Sequence, residues 1–366
     1  MRNTQKKNVP ELRFPGFEGE WEEKKLEDII KVNSGKDYKH LDKGDIPVYG
    51  TGGYMTSVSE PLSEIDAVGI GRKGTINKPY VLEAPFWTVD TLFYCTPKKE
   101  VDILFILSLF RKINWKVYDE STGVPSLSKQ TINKIIRFVP TNKEQQKIGK
   151  FFSKLDRQIE LEEQKYELLQ QQKKGYMQKI FSQELRFKDE NGEDYPEWEE
   201  TTIKEIAQIN TGKKDTKDAI TNGSYDFYVR SPIVYKINTF SYEGEAILTV
   251  GDGVGVGKVF HYVNGKFDYH QRVYKISDFK NYYGLLLFYY FSQNFLKETK
   301  KYSAKTSVDS VRKDMVANMK VPRPIYIEQK KIGQFIKKVD NKIKIQKQVI
   351  ELLKQRKKAL LQKMFI

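Results

Sequence analysis

The sequence predicts an α+β chain built as two similar halves: two globular bodies of mixed α/β structure, separated by two long antiparallel coiled-coil helices with pseudo-twofold symmetry. Three observations predict it. Residues 144–181 recur as residues 328–365, at an offset of 184 without a gap, and half of the 38 positions are identical. Both copies carry seam residues at alternating spacings of four and three and contain no proline, which is a coiled-coil pattern. The remaining segments show short strand-like runs punctuated by Gly, Asn and Pro, without the alternating βαβ units of a doubly wound sheet.

In chain order, the divisions are 1–143 for the first body, 144–183 for the first helix, 184–327 for the second body and 328–366 for the second helix. The fronts of the bodies match: "EWEEKKLEDIIKVNSGK" (20–36) resembles "EWEETTIKEIAQINTGK" (197–213). The middles diverge. Their strand-like runs include "DIPVYGTGGYM", "YVLEAPFWTVDTLFYC", "GEAILTVGDG" and "GKVFHYVNGKFDYHQRVYKI". Each middle ends in a helical stretch (about 102–117 and 282–301), a loop, and a second short helix (about 127–135 and 311–317). The loops also repeat, with "YDESTGVPSLSK" (118–129) at the 184-residue offset from "YSAKTSVDSVRK" (302–313). A period this long marks tandem domains, not a solenoid.

In the first helix the seam reads Ile148, Phe152, Leu155, Ile159, Glu162, Tyr166, Leu169, Lys173, Tyr176 and Ile180. In the second it reads Ile332, Ile336, Val339, Ile343, Gln346, Ile350, Leu353, Lys357, Leu360 and Met364. Each helix, at 1.5 Å per residue, is some ~57 Å long, more than one small body covers, so the two are expected to pack together. The second body starts where the first helix ends and finishes where the second begins. Only antiparallel packing lets a body about 40 Å wide keep those ends close. The polar breaks suggest a register. Glu162 opposite Lys357 puts Lys173 opposite Gln346, and it pairs Leu155 with Met364, Ile159 with Leu360, Tyr166 with Leu353, Leu169 with Ile350, Tyr176 with Ile343, and Ile180 with Val339. A carboxylate facing a buried lysine relieves part of its desolvation cost.

The net charge of +15 points to an acidic partner, most simply nucleic acid. The excess is uneven. Residues 328–366 hold 12 Lys/Arg against three Asp/Glu, while the bodies are nearly balanced, with 22 against 19 in residues 1–143 and 21 against 20 in residues 184–327. Nucleic-acid contacts by the bodies must therefore use local patches. The single cysteine, Cys95, excludes a disulfide framework and a Cys-rich zinc site, and His40, His261 and His270 form no ligand pair. No apolar run nears the ~20 residues of a membrane helix, and "MRNTQKKNVPELRF" shows no apolar signal region, so a cytoplasmic location is expected.

Enzyme signatures are equally sparse. The N/D-P-P-Y/F tetrapeptide of amino-methyltransferases is absent. "GDGVGVGKV" (251–259) lacks P-loop spacing and has Val259 where Ser or Thr would hold magnesium. "VGIGRKGTI" (68–76) contains a literal G-x-G-x-x-G at Gly69, Gly71 and Gly74. A dinucleotide fingerprint needs a helix opening at its last glycine. Pro79 and "YVLE" instead read as turn and strand, so the expectation is a glycine turn displaying Arg72 and Lys73.

These residues carry a resemblance. The duplicated "EWEEKKLEDI"/"EWEETTIKEI", the loop "STGVPSLSK", and the linkers "PTNKEQQKIGKFFSKLD" and "PIYIEQKKIGQFIKKVD" resemble the specificity subunit of type I DNA restriction–modification enzymes over nearly the whole chain. The resemblance implies that each body is a target recognition domain reading one half of a split sequence on double-stranded DNA. It implies that the helices set the spacing and dock two methyltransferase (modification) subunits, with restriction/translocase subunits joining through the complex. The subunit itself would be non-catalytic and hold no metal or cofactor. S-adenosylmethionine, ATP and Mg would belong to partners in a DNA adenine methyltransferase and ATP-dependent endonuclease. Since the bodies differ, the target should be asymmetric and gapped. Two other readings fit the pattern: a recognition subunit of a different modification or cleavage system, or a coiled-coil scaffold that binds no DNA.

Candidate DNA contacts are donors in Gly-rich loops, where backbone approaches phosphate and side chains reach base edges. In the first body they are Arg72 and Lys73, then Thr88, Asp90 and Thr91 in "WTVDT", and Ser121 and Thr122 before a short helix whose N-terminus favours phosphate. In the second body they are Asp252 and Lys258 in "VGDGVGVGKV", His270, Gln271 and Arg272 in "HQR", and Lys305, Thr306 and Ser307.

Overall fold

The computed structural model describes residues 8–253, 255–301 and 310–366. The chain divides into two compact units, Met1–Lys165 with Gln346–Ile366, and Tyr166–Ile345. Both boundaries fall inside the long helices.

The first unit runs β1 (Glu22–Lys25), α1 (Leu26–Ile29), β2 (Ile30–Ser34), β3 (Ile46–Gly50), β4 (Gly53–Val58), β5 (Ala67–Gly71), β6 (Tyr80–Leu82), β7 (Trp87–Thr88), β8 (Leu92–Pro97), α2 (Ile103–Lys112), α3 (Lys129–Lys134), β9 (Ile136–Val139) and the start of α4 (Asn142–Phe181). An antiparallel sheet in the order β2-β8-β5-β6 packs beside a three-stranded sheet β4-β3-β7. Strand β5, "AVGIG", is buried along its whole length, as an inner strand covered on both faces must be. It carries the glycine motif, and each glycine has a separate reason. A Cβ on Gly69 would press on Leu82, one on Gly71 would lie 2.1 Å from the Thr75 carbonyl oxygen, and Gly74 adopts a φ of +86°. No helix follows; the chain turns into β6.

The second unit continues from α4 through β10 (Glu199–Thr202), α5 (Ile203–Ile206), β11 (Gln208–Thr211), β12 (Tyr225–Tyr228), β13 (Val234–Ile237), β14 (Tyr242–Val250), β15 (Phe260–Tyr269), β16 (Val273–Ser277), α6 (Gly284–Lys300), α7 (Lys313–Ala317), β17 (Lys320–Arg323) and into α8 (Tyr326–Met364). Its strands form one six-stranded sheet, β11-β16-β14-β15-β12-β13, with β12 and β15 parallel. The divergent middles thus fold into differently divided sheets. The frames stay alike: β1 pairs antiparallel with β9, and β10 with β17, in matching registers.

The repeated "EQxKIGxF" at the start of each long helix is a docking device. In the first unit Glu144, 1% exposed, takes two hydrogen bonds from Arg13, at 2.8 and 2.7 Å. In the second, Glu328, fully buried, meets Arg186 at 3.1 Å and the Trp198 indole at 3.0 Å. Both arginines lie in an "ELRF" that itself repeats (11–14 and 184–187). Gln145 and Gln329 accept from the backbone N–H of Asp102 and Tyr283, at the starts of α2 and α6. Gly149 and Gly333 leave room there: a Cβ on Gly149 would lie 2.7 Å from Phe105 N, and one on Gly333 2.7 Å from the Tyr283 ring.

Along both helices the seam positions are buried or half-buried, with one exception. Tyr176 is 38% exposed, and Met177, one residue on, is buried, as is its repeat partner Leu361. A straight α-helix drifts against a seven-residue repeat, which carries the stripe one position over near the helix end. The expected register is incorrect. Glu162 faces Gln346, whose Nε2 donates to the Glu162 carboxylate and carbonyl. Lys357 pairs with Asp156, and Lys173 with Asp340 at 2.6 Å. Tyr176 stacks edge-on against Phe335, not Ile343. Asp156 and Asp340 occupy the same position in the two copies, as do Lys173 and Lys357, so the repeat forms one ion pair twice. This register matches each half-buried lysine with a carboxylate and leaves the neutral Gln346 for Glu162. Burial lowers the pKa of Lys357, and the hydrogen bond it donates to Asp156 opposes that shift. Arg111 of α2 joins Asp156, and Tyr289 of α6 donates to Asp340 at 2.7 Å, tying helix to body in each unit.

Candidate nucleic-acid interface

Both bodies build the same small backbone frame at one rim. In the first, Arg72 N donates to Thr91 O at 2.8 Å, and Leu127 N donates to Arg72 O at 2.9 Å. In the second, Gly251 N donates to Arg272 O and Val311 N donates to Gly251 O, both at 2.8 Å. A tight turn adjoins each frame, closed by Leu92 N on Val89 O (3.0 Å) and by Val273 N on His270 O (2.9 Å). The repeated "NSGK" and "NTGK" lie beneath. A Cβ on Gly35 would sit 2.0 Å from Val89 O, and one on Gly212 1.9 Å from Tyr269 O, so neither glycine is replaceable. The frames align Arg72 with Gly251, and Asp90 and Thr91 with Gln271 and Arg272. The next residues also align, Lys73 with Asp252, which bridge to the equivalent Ser126 and Ser310, whereas Lys258 lies beyond this frame.

In the first body Arg72 and Lys73 are exposed and line a cleft with Phe93, Ser126, Ser128 and Lys129. The Arg72 guanidinium lies 5.9 Å from the Phe93 ring centroid and donates to the Asp90 carbonyl at 3.4 Å. Among the described residues no carboxylate is in ion-pair range of either cation. Asp90 is exposed on the turn and Thr91 half-buried. Thr88 is fully buried in β7, its hydroxyl without a partner, so it cannot meet DNA. Ser121 is turned inward: its N–H and hydroxyl donate to Asp119 Oδ1, as does Ser126 N–H. Those bonds, that from Ser126 first, hold the Asp119 carboxyl below its usual range. Thr122 stays exposed at the tip. At the start of α3 Ser128 caps Thr131 N–H and the Glu120 carboxylate takes both hydroxyls, which leaves Lys129 as the exposed cation of that helix end.

In the second body Asp252 is a brace. Its Oδ2 lies 3.3 Å from Arg272 Nη1 and 3.7 Å from Arg230 Nη1. His270 is 2% exposed and cannot read bases; its Nδ1 accepts from Arg272 N–H at 2.9 Å. Burial lowers its pKa, opposed by Asp215. Gln271 and Arg272 are exposed, and Gln271 Nε2 donates to Asp215 Oδ2 at 3.1 Å. Lys258 is exposed on the turn beyond Gly255. Lys305, Thr306 and Ser307 lie outside the described residues. Sequence reasoning missed Lys129, Arg312 and Lys313 on the rims, although the 184-residue offset aligns Lys129 with Lys313. It also missed Arg230, which no repeat signals. Among the described residues no acidic, His or Cys cluster is placed to hold a metal, and no helix is long and apolar enough to cross a membrane.

Comparison with known proteins places the chain. The family described as "Type I restriction modification DNA specificity domain" matches residues 18–171 and 195–355. The Type I restriction enzyme MjaVIII specificity subunit of Methanocaldococcus jannaschii is 26% identical over 353 residues, covering 82% of this chain and 75% of that protein. The EcoDI specificity subunit of Escherichia coli is 24% identical over 169 residues, covering 45% of this chain and 37% of that protein. The crystal structure of a type I restriction–modification S subunit from M. genitalium superposes with a TM-score of 0.71 at 15% identity, over 98% of this chain and 99% of that one.

Proposed function

The chain belongs to the type I restriction–modification DNA specificity family, and from that premise we propose that it is the sequence-reading subunit of such a complex. Each body reads one half of an asymmetric, gapped target on double-stranded DNA, and the helix pair sets the gap and docks two methyltransferase subunits. The subunit is non-catalytic; S-adenosylmethionine, ATP and magnesium act on partner subunits. One observation carries the reading. Two equivalent backbone frames, each at an exposed rim, bear different donors and acceptors: Arg72, Asp90 and Thr91 on one, Gln271 and Arg272 on the other. A shared frame with exchanged side chains suits two readers of different half-sites, and a fixed spacer sets their separation as a dimer sets operator spacing.

The test maps methylated bases in the host genome with the gene intact and deleted. Loss of one two-part motif is the expected result, and an unchanged set of methylated motifs refutes the proposal. Exchanging residues 1–143 for those of a relative should alter one half of the motif and leave the other.

A further inference from the structure

Within that reading, we propose that the turn 270–272 is the base-reading element of the second body: Arg272 takes a guanine and Gln271 an adjacent adenine, while the matching turn of the first body reads cytosine through Asp90. The inference rests on the reading above and names its chemistry. Arg272 and Gln271 are consecutive, exposed, and carried by a turn whose backbone is fixed on three sides. His270 N donates to Tyr228 O, Gln271 N to Lys214 O, and Arg272 N to the buried His270 ring. Each side chain is steered by one carboxylate that leaves its reading edge free. Asp252 approaches Arg272 at Nη1, so Nη2 and Nε remain for guanine O6 and N7. Asp215 takes one proton of Gln271 Nε2, so the second proton and Oε1 remain for adenine N7 and N6. A restrained side chain loses less freedom on binding, which favours discrimination over general adhesion.

The first body exchanges these roles. Its arginine has moved from the turn to the neighbouring strand end, where Arg72 holds the Asp90 carbonyl, and the turn presents a carboxylate, which accepts from cytosine N4. A pair of phosphate-binding patches would have no reason to place an exposed acid at this position.

The test uses the full chain assembled with its methyltransferase subunits and measures methylation rates on duplexes in which each base pair of the mapped target is varied in turn. For Arg272→Ala, the expected result is a loss of about 10–100-fold in preference at one G·C pair of one half-site, the other half-site unchanged. Asp252→Asn should weaken preference at that same pair without changing the favoured base, which a merely structural loss would not do. Retention by Arg272→Ala of the wild-type preference at every position overturns the inference and leaves the proposed function standing. A wild-type complex with no two-part preference removes the reading beneath it instead. Arg272 is exposed, so the variant is expected to fold; its circular dichroism and melting point verify that.

Discussion

Gly149→Ala and Gly175→Ala should move stability in opposite directions, although both sit inside the same helix. In an unhindered helix interior, Gly→Ala stabilises by about 1 kcal/mol. A Cβ on Gly175 would meet nothing within 4 Å, so that gain is expected in full. A Cβ on Gly149 would lie 2.5 Å from Asp102 Oδ1, 2.7 Å from Phe105 N and 2.8 Å from Leu104 Cβ. Backbone must move to relieve this, and such overpacking costs about 1–3 kcal/mol. Asp102 also caps α2, accepting from Phe105 N at 2.8 Å, and loss of a cap costs about 1 kcal/mol more. The net expectation for Gly149→Ala is destabilisation by about 1–3 kcal/mol. For units of this size 1 kcal/mol corresponds to about 2–4 °C in melting temperature. The assay is calorimetry of the purified chain with a parallel tryptophan-fluorescence melt, since Trp21, Trp87 and Trp115 lie in the first unit and only Trp198 in the second. The repeat supports the reasoning: Gly149 aligns with Gly333, whereas Gly175 aligns with Ala359. A Gly149→Ala chain as stable as the wild type, or more so, would refute the docking argument.

Other outcomes follow from the same geometry. Arg13→Ala strands the buried Glu144 carboxylate and should destabilise the first unit by about 3–5 kcal/mol, read as a lowered fluorescence melt. Thr88→Val removes a buried hydroxyl that has no partner, so it should leave DNA affinity unchanged and raise stability by about 1 kcal/mol; weakened DNA binding at unchanged stability would restore Thr88 as a contact. His261 and His270 have folded-state pKa values below the ordinary 6.5, chiefly because of burial. The unfolded chain therefore takes up protons first, and the second unit should be fully stable above pH 6.5 and lose stability as pH falls below it; His270→Asn should flatten that calorimetric pH dependence. Lys73→Ala should weaken duplex binding about equally across sequences and reduce the slope of log affinity against log salt by about one, measured by fluorescence anisotropy.

The fold class and the helix pair were legible because they rest on periodicity and repetition, which are properties of the chain read in one dimension. The short helices α3 and α7 were legible through the aligned loops that precede them. The register was not. Seam spacing says which face is buried, but the opposing residue depends on carboxylates just off the seam, Asp156 and Asp340, that reach across only when the helices are in place. Site residues divided in the same way. Arg72, Lys73, Asp90, Gln271 and Arg272 lie at the rim because turn chemistry exposes them. Thr88 and His270 looked alike in sequence and are buried, since strand pairing and turn closure carry them inward.

The sequence by itself determined that this protein is two related bodies with two long helices, because duplication and heptad spacing survive wherever the chain goes. Only the tertiary structure decided that Arg272 answers Thr91 and Arg72 answers Gly251. That equivalence is carried by backbone hydrogen bonds, which every residue but proline can donate and no side-chain pattern records.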